Sequence, residues 1–246
     1  MQTASFVAPR RLRSLAMAFA ALLCAGLGAI AQEQKPAQPP GSAPAANTED
    51  QAYALISTSK GDIALELYRK YAPISVENFL KYVDAGYYEH TVFHRVMPTF
   101  MIQGGGYTAD ITPKPGTLPA IKNEWQNGLS NRRGTVAMAR LGGQADSATS
   151  QFFINVVDNA FLDEPRDGAG YAVFGQVIAG MKVVDAIRVV PTGSKSGMGD
   201  VPNETVEIKT VKRLTHDEAL ALAKAEKAAA GKQPSQETAP PTDPVK

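Results

Sequence analysis

Alternating apolar and polar positions predict a pair of strands where the globular part of the chain begins. Residues 52–58 and 62–68 both alternate in this way, and Ile63, Leu65 and Leu67 share one face of the second run. Gly61 lies in the short turn between the two runs. Two alternating runs joined by a short, glycine-containing turn are typical of a β-hairpin, so the sequence predicts one here.

The spacing of apolar residues then becomes helical. The residues that repeat at intervals of three and four are Val76, Phe79, Leu80 and Val83. We expect Ser75 to cap the N-terminus of this helix, with Ile74 and Phe79 in contact as a hydrophobic staple. Gly86 can adopt the left-handed conformation that ends a helix.

The rest of the globular part consists of short β-rich runs between Gly, Pro and Asn clusters. These runs are residues 92–96, 100–103, 135–138, 152–156 and 173–177. A second helix is predicted over residues 181–188, and Val206, Ile208 and Val211 indicate a closing strand. Many short strands with two helices predict an all-β (mainly β) fold, a barrel with helices over its open ends.

The first 31 residues have the pattern of a secretory signal peptide. Arg10, Arg11 and Arg13 precede an apolar stretch over residues 15–30, and an Ala-Ile-Ala cleavage motif ends at residue 31. A transmembrane anchor is the alternative, but the stretch is short and rich in Ala and Gly. We therefore expect an exported protein, periplasmic if the organism is a Gram-negative bacterium and secreted otherwise, with no membrane attachment after cleavage.

Composition shifts mark three further segments. Residues 32–50 are rich in Pro, Ala and Gln and predict a flexible linker. Residues 51–214 form one domain of normal size. In residues 215–246, a capping box of Thr215 and Glu218 predicts a helix to about residue 231, followed by a disordered end.

Charge and cysteine content exclude several functions. The 246 residues include 25 Lys and Arg and 24 Asp and Glu, so no basic excess points to nucleic acid. Loss of the three arginines in residues 1–31 leaves 22 basic residues and a net charge of −2. The single cysteine, Cys24, would be lost as well, which excludes a disulfide, a thiolate nucleophile and a cysteine-based zinc site.

Common catalytic and cofactor motifs are absent or lack their context. No Gly-Lys-Ser/Thr follows a glycine-rich loop, and no G-x-S-x-G motif is present. Gly104, Gly106 and Ala109 fit a dinucleotide-binding pattern formally, but the prolines that follow prevent the required helix. His90 and His94 lie in a strand region, where their spacing does not converge on one metal. We expect neither a metal nor a cofactor.

Apolar and amide side chains are concentrated around one arginine. The segments are FHRVMPTFMIQGG (residues 93–105), MAR (138–140), SATSQFFIN (147–155), FLD (161–163) and YAVFG (171–175). The first, third and last of these are similar to signature segments of cyclophilins, the cyclosporin-binding class of peptidyl-prolyl isomerases. The resemblance extends from about residue 52 to residue 214 and is closest to the bacterial, exported branch of that family.

The resemblance implies an eight-stranded antiparallel barrel closed by a helix at each end, with a substrate groove on its outside and no cofactor. The substrate would be an extended or unfolded polypeptide containing an X–Pro bond. The main chain around Ala139 and Arg140 would hold that peptide, and Gln151 would line a neighbouring pocket. We expect the protein to act as a monomer.

Roles for the remaining residues follow from the chemistry of rotation about an X–Pro bond. Arg95 is a permanently charged donor that can stabilise the twisted imide nitrogen. Phe100, Met101, Phe153 and Leu162 are assigned to an apolar pocket that grips the proline ring. Gln103 is assigned to bind the substrate backbone and to orient Arg95. Phe100 and Gln103 are counted with Arg95 as candidate catalytic residues.

Three positions differ from the best-studied eukaryotic cyclophilins. Phe161 stands where these proteins carry Trp, Tyr171 where they carry His, and Arg140 where they carry Asn. Phe161 keeps the apolar wall but loses an indole N–H that contacts cyclosporin, so we expect weak cyclosporin binding. A non-catalytic module or chaperone that binds a proline-containing segment of one envelope partner remains the alternative function.

Overall fold

The computed structural model describes residues 50–165 and 167–230. Its elements in chain order are β1 (Gln51–Thr58), β2 (Gly61–Tyr68), α1 (Pro73–Asp84), β3 (Thr91–Val96), β4 (Met101–Gly104), β5 (Thr135–Met138), β6 (Phe152–Asn155), β7 (Val173–Ala179), α2 (Met181–Arg188), β8 (Thr192–Lys195), β9 (Met198–Pro202), β10 (Glu207–Leu214) and α3 (His216–Ala230). A 3₁₀ turn covers Ala160–Asp163. The signal peptide, almost all of the linker and the C-terminal end lie outside the described residues.

Within this part of the chain, antiparallel strands close a barrel in the order β1–β10–β3–β4–β6–β5–β7–β2. The predicted eight-stranded barrel and its class are therefore confirmed. The predicted hairpin is confirmed as well, because β1 and β2 pair along their full length up to Thr58 and Gly61. Gly61 has φ = +129°, a backbone conformation that favours glycine.

Strand alternation divides the side chains between the barrel interior and its outer face. In β4, Ile102 lies in the main core, whereas its neighbours Met101 and Gln103 do not. In β6, Phe152 and Ile154 lie in that core, and Phe153 belongs to a separate apolar cluster with Met101. Because successive side chains of a strand point to opposite faces, this second cluster lies on the outside of the barrel.

Helices complete the main core, as predicted. The helical residues with apolar spacing in α1 are all buried: Val76, Phe79, Leu80 and Val83. Val184 and Ile187 of α2 are buried in the same core. Gly86 has φ = +63° just after the end of α1, which confirms its expected left-handed conformation.

The start of α1 differs from the prediction. Ala72 is the N-cap residue and offers no side-chain bond, and Pro73 occupies the first turn. Ser75 lies inside the helix, where the Glu124 carboxylate accepts the backbone N–H groups of Ile74 and Ser75 and the Ser75 hydroxyl. The predicted serine cap and the staple were wrong, because a carboxylate 49 residues away along the chain takes the capping role and Ile74 stays 40% exposed.

The last helix is attached to the barrel. The Thr215 hydroxyl accepts the backbone N–H of Glu218, and the Glu218 carboxylate accepts that of Thr215, so the capping box is present. His216 lies 3.0 Å from the Tyr53 hydroxyl of β1, and Ala219 is fully buried. In residues 50–165 and 167–230, no helix combines the length and apolar character that crossing a bilayer requires.

A hairpin outside the barrel, formed by β8 and β9, was not predicted from the sequence. Its two strands pair with each other and not with the barrel sheet. Val201 of β9 is buried with Val92 of β3 and with Ile111. The hairpin is therefore packed against the outer face of β3, the strand that carries Arg95.

Candidate active site

Four outward-facing residues form a row across four neighbouring strands. Arg95 of β3 is paired with Gln103 of β4, Gln103 with Phe153 of β6, and Phe153 with Ala137 of β5. Neighbouring strands lie about 4.8 Å apart, so side chains in such a row are in reach of one another. The barrel thus places the guanidinium of Arg95 at one end of a row that becomes apolar at the other.

The apolar end of the row is an outer cluster of side chains. Its buried members are Met101, Ala137, Phe153, Leu162 and Val173, and its partly buried members are Met97, Phe100, Leu129, Ala139 and Tyr171. Met101, Phe153 and Leu162 are each no more than 6% exposed. The four residues assigned to an apolar pocket from the sequence therefore do lie together.

A groove of about 490 Å³ adjoins this cluster on the side of Arg95. The predicted site residues that line it are Arg95, Gln103, Ala139, Arg140 and Gln151. Six further lining residues were not predicted: His94, Tyr107, Leu141, Ser147, Thr149 and Met198. Ala139 belongs both to this groove and to the outer cluster, so the two regions are continuous.

Gln103 and Gln151 hold each other in place. Gln103 Nε2 donates a hydrogen bond of 2.9 Å to Gln151 Oε1. The glycine run after β4 provides the space for this pair, because a Cβ on Gly106 would lie 2.4 Å from Gln151 Cγ. Gly106 therefore has a packing role at the site.

Arg140 connects the groove to the segment that carries Tyr171. Its guanidinium donates hydrogen bonds to the carbonyl oxygens of Gly170 and Ala169 and lies 4.5 Å from the centre of the Tyr171 ring. Tyr171 in turn contacts Phe153 edge to face, with ring centroids 5.7 Å apart. Cation–π contact and these hydrogen bonds fix the Tyr171 ring beside the outer cluster.

Phe161 covers the outer edge of the apolar cluster. Its ring stacks on Phe100 with centroids 5.6 Å apart and an interplanar angle of 23°. The side chain remains 40% exposed, whereas Leu162, next in the same 3₁₀ turn, is 6% exposed. An exposed ring stacked on a pocket residue is suited to contact a ligand as well.

A network of buried amides supports the pocket from behind. Asn155 donates to Asn131 Oδ1 and Thr135 Oγ1 and accepts from Asn159 Nδ2. Asn159 also donates to the carbonyl oxygen of Phe100. Asn131 donates to the carbonyl oxygen of Tyr171. These bonds fix the backbone at two pocket residues, Phe100 and Tyr171. The network was not predicted from the sequence because Asn131 lies 24 residues from Asn155 along the chain.

Asp200 and His94 lie beside Arg95 at the β3 end of the row. Arg95 Nε lies 3.5 Å from Asp200 Oδ2, and both side chains are about two-fifths exposed, at 39% and 43%. Burial lowers the pKa of His94 to about 4. The nearby charge of Arg95 lowers this pKa further, whereas a hydrogen bond to the backbone of Val92 raises it. His94 is therefore neutral at physiological pH, and the positive charge beside the groove at this strand is that of Arg95.

The structure thus brings all eleven predicted site residues into two adjoining regions. Phe161 is placed there by its contact with Phe100, and the others line the groove or belong to the outer cluster. Their roles toward a substrate stay predictions. Within the described ranges, no three His, Cys, Asp or Glu side chains are grouped so that they could hold a metal ion.

Comparison with known proteins identifies the family. Residues 53–213 match the family model described as cyclophilin type peptidyl-prolyl cis-trans isomerase/CLD. A crystal structure of a cyclophilin-type peptidyl-prolyl cis-trans isomerase from Cryptosporidium parvum is similar, with a TM-score of 0.55 and 27% identity over 68% of this chain and 99% of that one. The chain belongs to the cyclophilin-type family.

Similar bacterial proteins are named peptidyl-prolyl cis-trans isomerases. Peptidyl-prolyl cis-trans isomerase A of Dickeya dadantii is 49% identical over 69% of this chain and 88% of its own length. The isomerase of Acinetobacter baylyi is 54% identical over 63% and 82%, and isomerase B of Escherichia coli is 50% identical over 63% and 94%. The protein is accordingly a peptidyl-prolyl cis-trans isomerase, of a family that acts on proline-containing peptides.

Proposed function

We propose that this isomerase accelerates X–Pro isomerisation during the folding of exported proteins, with Arg95 stabilising the half-rotated imide beside the outer apolar cluster. The observation that supports this mechanism is the cross-strand row of Arg95, Gln103 and Phe153. It combines a permanent cation, a hydrogen-bonding amide and an apolar ring on one face. These are the groups that the reaction requires.

The reaction breaks no bond, so stabilisation of the rotated state is sufficient. Partial double-bond character gives the peptide C–N bond a barrier of about 18–20 kcal/mol. Lowering it enough to raise the rate from about 10⁻² to about 10³ s⁻¹ requires about 7 kcal/mol. The protein must therefore bind the twisted imide more tightly than either planar isomer.

Arg95 would act on the imide nitrogen, the atom whose bonding geometry changes most during rotation. When the C–N bond rotates, resonance is lost and the imide nitrogen becomes pyramidal with a localised lone pair. A guanidinium N–H directed at that lone pair stabilises the rotated state and not the planar ones. One charged hydrogen bond of this kind contributes about 2–4 kcal/mol.

The outer cluster would supply much of the remainder. Phe100, Met101, Phe153 and Leu162 would hold the proline ring and exclude water from the imide while the preceding carbonyl rotates. The bond to Gln151 uses one of the two N–H donors of Gln103, so we assign the second donor and the amide oxygen to the substrate.

The rest of the peptide would lie extended along the groove. The main chain at Ala139 and Arg140 would bind it, with Gln151 and Tyr171 on either side and Phe161 at the exposed edge. A second Cryptosporidium parvum structure, of the same type of isomerase in the presence of the dipeptide Ala-Pro, is similar at 26% identity and a TM-score of 0.55. A proline-containing peptide is thus a suitable first ligand for this chain.

The cellular setting is inferred from the N-terminal pattern of basic, apolar and small residues. We place the mature protein outside the cytoplasm, in the periplasm if the organism is a Gram-negative bacterium and secreted otherwise. It would be a monomer that needs no cofactor and binds neither membrane nor nucleic acid. Mass determination of the mature N-terminus tests this directly. Cleavage before Gln32 supports an exported protein released from the membrane, and a retained residue 1 contradicts that release.

The activity is tested by proline-peptide exchange with purified protein. Arg95→Ala should keep the fold and lower kcat/KM by about a hundredfold or more. Arg213→Ala is the matched control, because that arginine pairs with Asp84 on the surface and does not line the groove. Full activity in Arg95→Ala would refute the mechanism.

A further inference from the structure

Arg95 forms an ion pair with Asp200 of β9 that is too exposed to contribute much to stability. Arg95 Nε and Asp200 Oδ2 lie 3.5 Å apart with both side chains about two-fifths exposed. Exposed pairs of this kind contribute between zero and about 1 kcal/mol to stability. Asp200 therefore adds little to the stability of the barrel. Stability alone does not explain why Asp200 lies beside Arg95 at the groove.

The hairpin of β8 and β9 fixes Asp200 in this position. Val201, next along β9, is 4% exposed and packs with Val92 of β3 and Ile111. Asp200 itself has φ = +58°, a left-handed conformation that Asp and Asn adopt more readily than other residues with a Cβ. The buried anchor at Val201 and the packing of β9 on β3 hold the carboxylate at a set place along β3.

We propose that Asp200 is a positioning residue that orients the Arg95 guanidinium through Nε. An arginine side chain loses about 2 kcal/mol of rotamer entropy when it becomes ordered, so a half-exposed guanidinium would otherwise sample many directions. A carboxylate at Nε restricts that sampling and leaves the terminal Nη groups for the substrate. Asp200 acts only through Arg95 and does not touch the reacting imide.

This proposal rests on the role proposed for Arg95, and it predicts a specific kinetic change. Asp200→Asn should lower kcat about tenfold, because a misdirected donor stabilises the rotated imide less well. KM should change by no more than about twofold, because the outer cluster that binds the planar substrate is unchanged. Asp200→Glu keeps the charge and should recover most of the rate.

Glu204→Gln is the matched control. Glu204 follows β9 and pairs with Lys60 at 3.3 Å, but its side chain is 80% exposed and it does not line the groove. This variant should retain wild-type kcat and KM. Thermal unfolding of each variant shows whether any kinetic change reflects loss of fold.

The decisive experiment is a double-mutant cycle of Asp200→Asn with Arg95→Ala, measured by proline-peptide exchange. The loss caused by Asp200→Asn should disappear in the Arg95→Ala background. An unchanged kcat in Asp200→Asn, or an equal loss in both backgrounds, would overturn the positioning role. Full activity of Arg95→Ala alone would instead refute the proposed role of Arg95, so the two failures are distinguishable.

Discussion

Protonation of His94 should make the stability of this protein depend on pH between about 6.5 and 4. His94 is 2% exposed and its ring centroid lies 4.5 Å from that of Tyr107. Burial lowers its pKa to about 4 in the folded state. In the unfolded chain the pKa is about 6.5. In this range the unfolded chain binds a proton that the folded protein does not, so stability falls as the pH falls.

The size of the effect follows from the two pKa values. The two pKa values, about 6.5 and about 4, imply that the free energy of unfolding falls by about 3 kcal/mol in total. The full decrease is reached only once the pH is below about 4. Asp84 and Asp185 have pKa values lowered by hydrogen bonds from Arg213 and Arg133. Their contributions are present above the ordinary carboxyl pKa of about 3.9 and are lost only below it, outside the range of His94.

Urea unfolding at a series of pH values from 7 to 4.5 measures the effect, with His94→Gln as the comparison. The wild type should lose more free energy of unfolding than the variant over this range, by about 2 kcal/mol. Other titrating groups are common to both proteins and cancel in the difference. Equal losses in the two proteins would refute the argument that buried His94 stays neutral.

Three further predictions concern the groups around the groove. Gly106→Ala should displace Gln151 and lower kcat/KM about fivefold in the exchange assay, because the new Cβ would lie 2.4 Å from Gln151 Cγ. Asn155→Ala should destabilise the protein by about 3 kcal/mol in urea unfolding, because it leaves buried partners without hydrogen bonds. Phe161→Trp should tighten cyclosporin inhibition about tenfold by restoring an indole donor, with isomerase activity retained.

Each of these variants has a clear contrary outcome. Gly142→Ala is the control for Gly106, because its nearest contact would be 3.8 Å away, and an equal effect of both would remove the steric explanation. Wild-type stability of Asn155→Ala would show that the amide network is dispensable. Unchanged cyclosporin inhibition in Phe161→Trp would show that the missing indole does not set the affinity.

Local patterns were sufficient to predict most of the barrel. Period-two alternation predicted β1 and β2, and Ile63, Leu65 and Leu67, which share one face of β2, do enter the core. Helical spacing likewise gave the buried face of α1. In these elements, burial follows directly from the order of apolar residues.

Features that depend on distant partners were missed. Glu124 caps α1 from 49 residues away, so the local preference for serine at a cap led to the wrong residue. Asn131, Asn155 and Asn159 form a network that no spacing reveals. The hairpin carrying Asp200 has little alternation, because most of its residues are not buried. Their positions depend on tertiary packing.

Separating ground-state binding from catalysis tests the role of Arg95 most directly. A proline-containing peptide can be titrated into the wild type and Arg95→Ala by NMR, with affinity and cis–trans exchange measured in the same samples. Affinity should change by no more than about threefold, whereas the catalysed exchange rate should fall about a hundredfold or more. Parallel losses of affinity and rate, or an unchanged rate, would contradict selective stabilisation of the rotated imide.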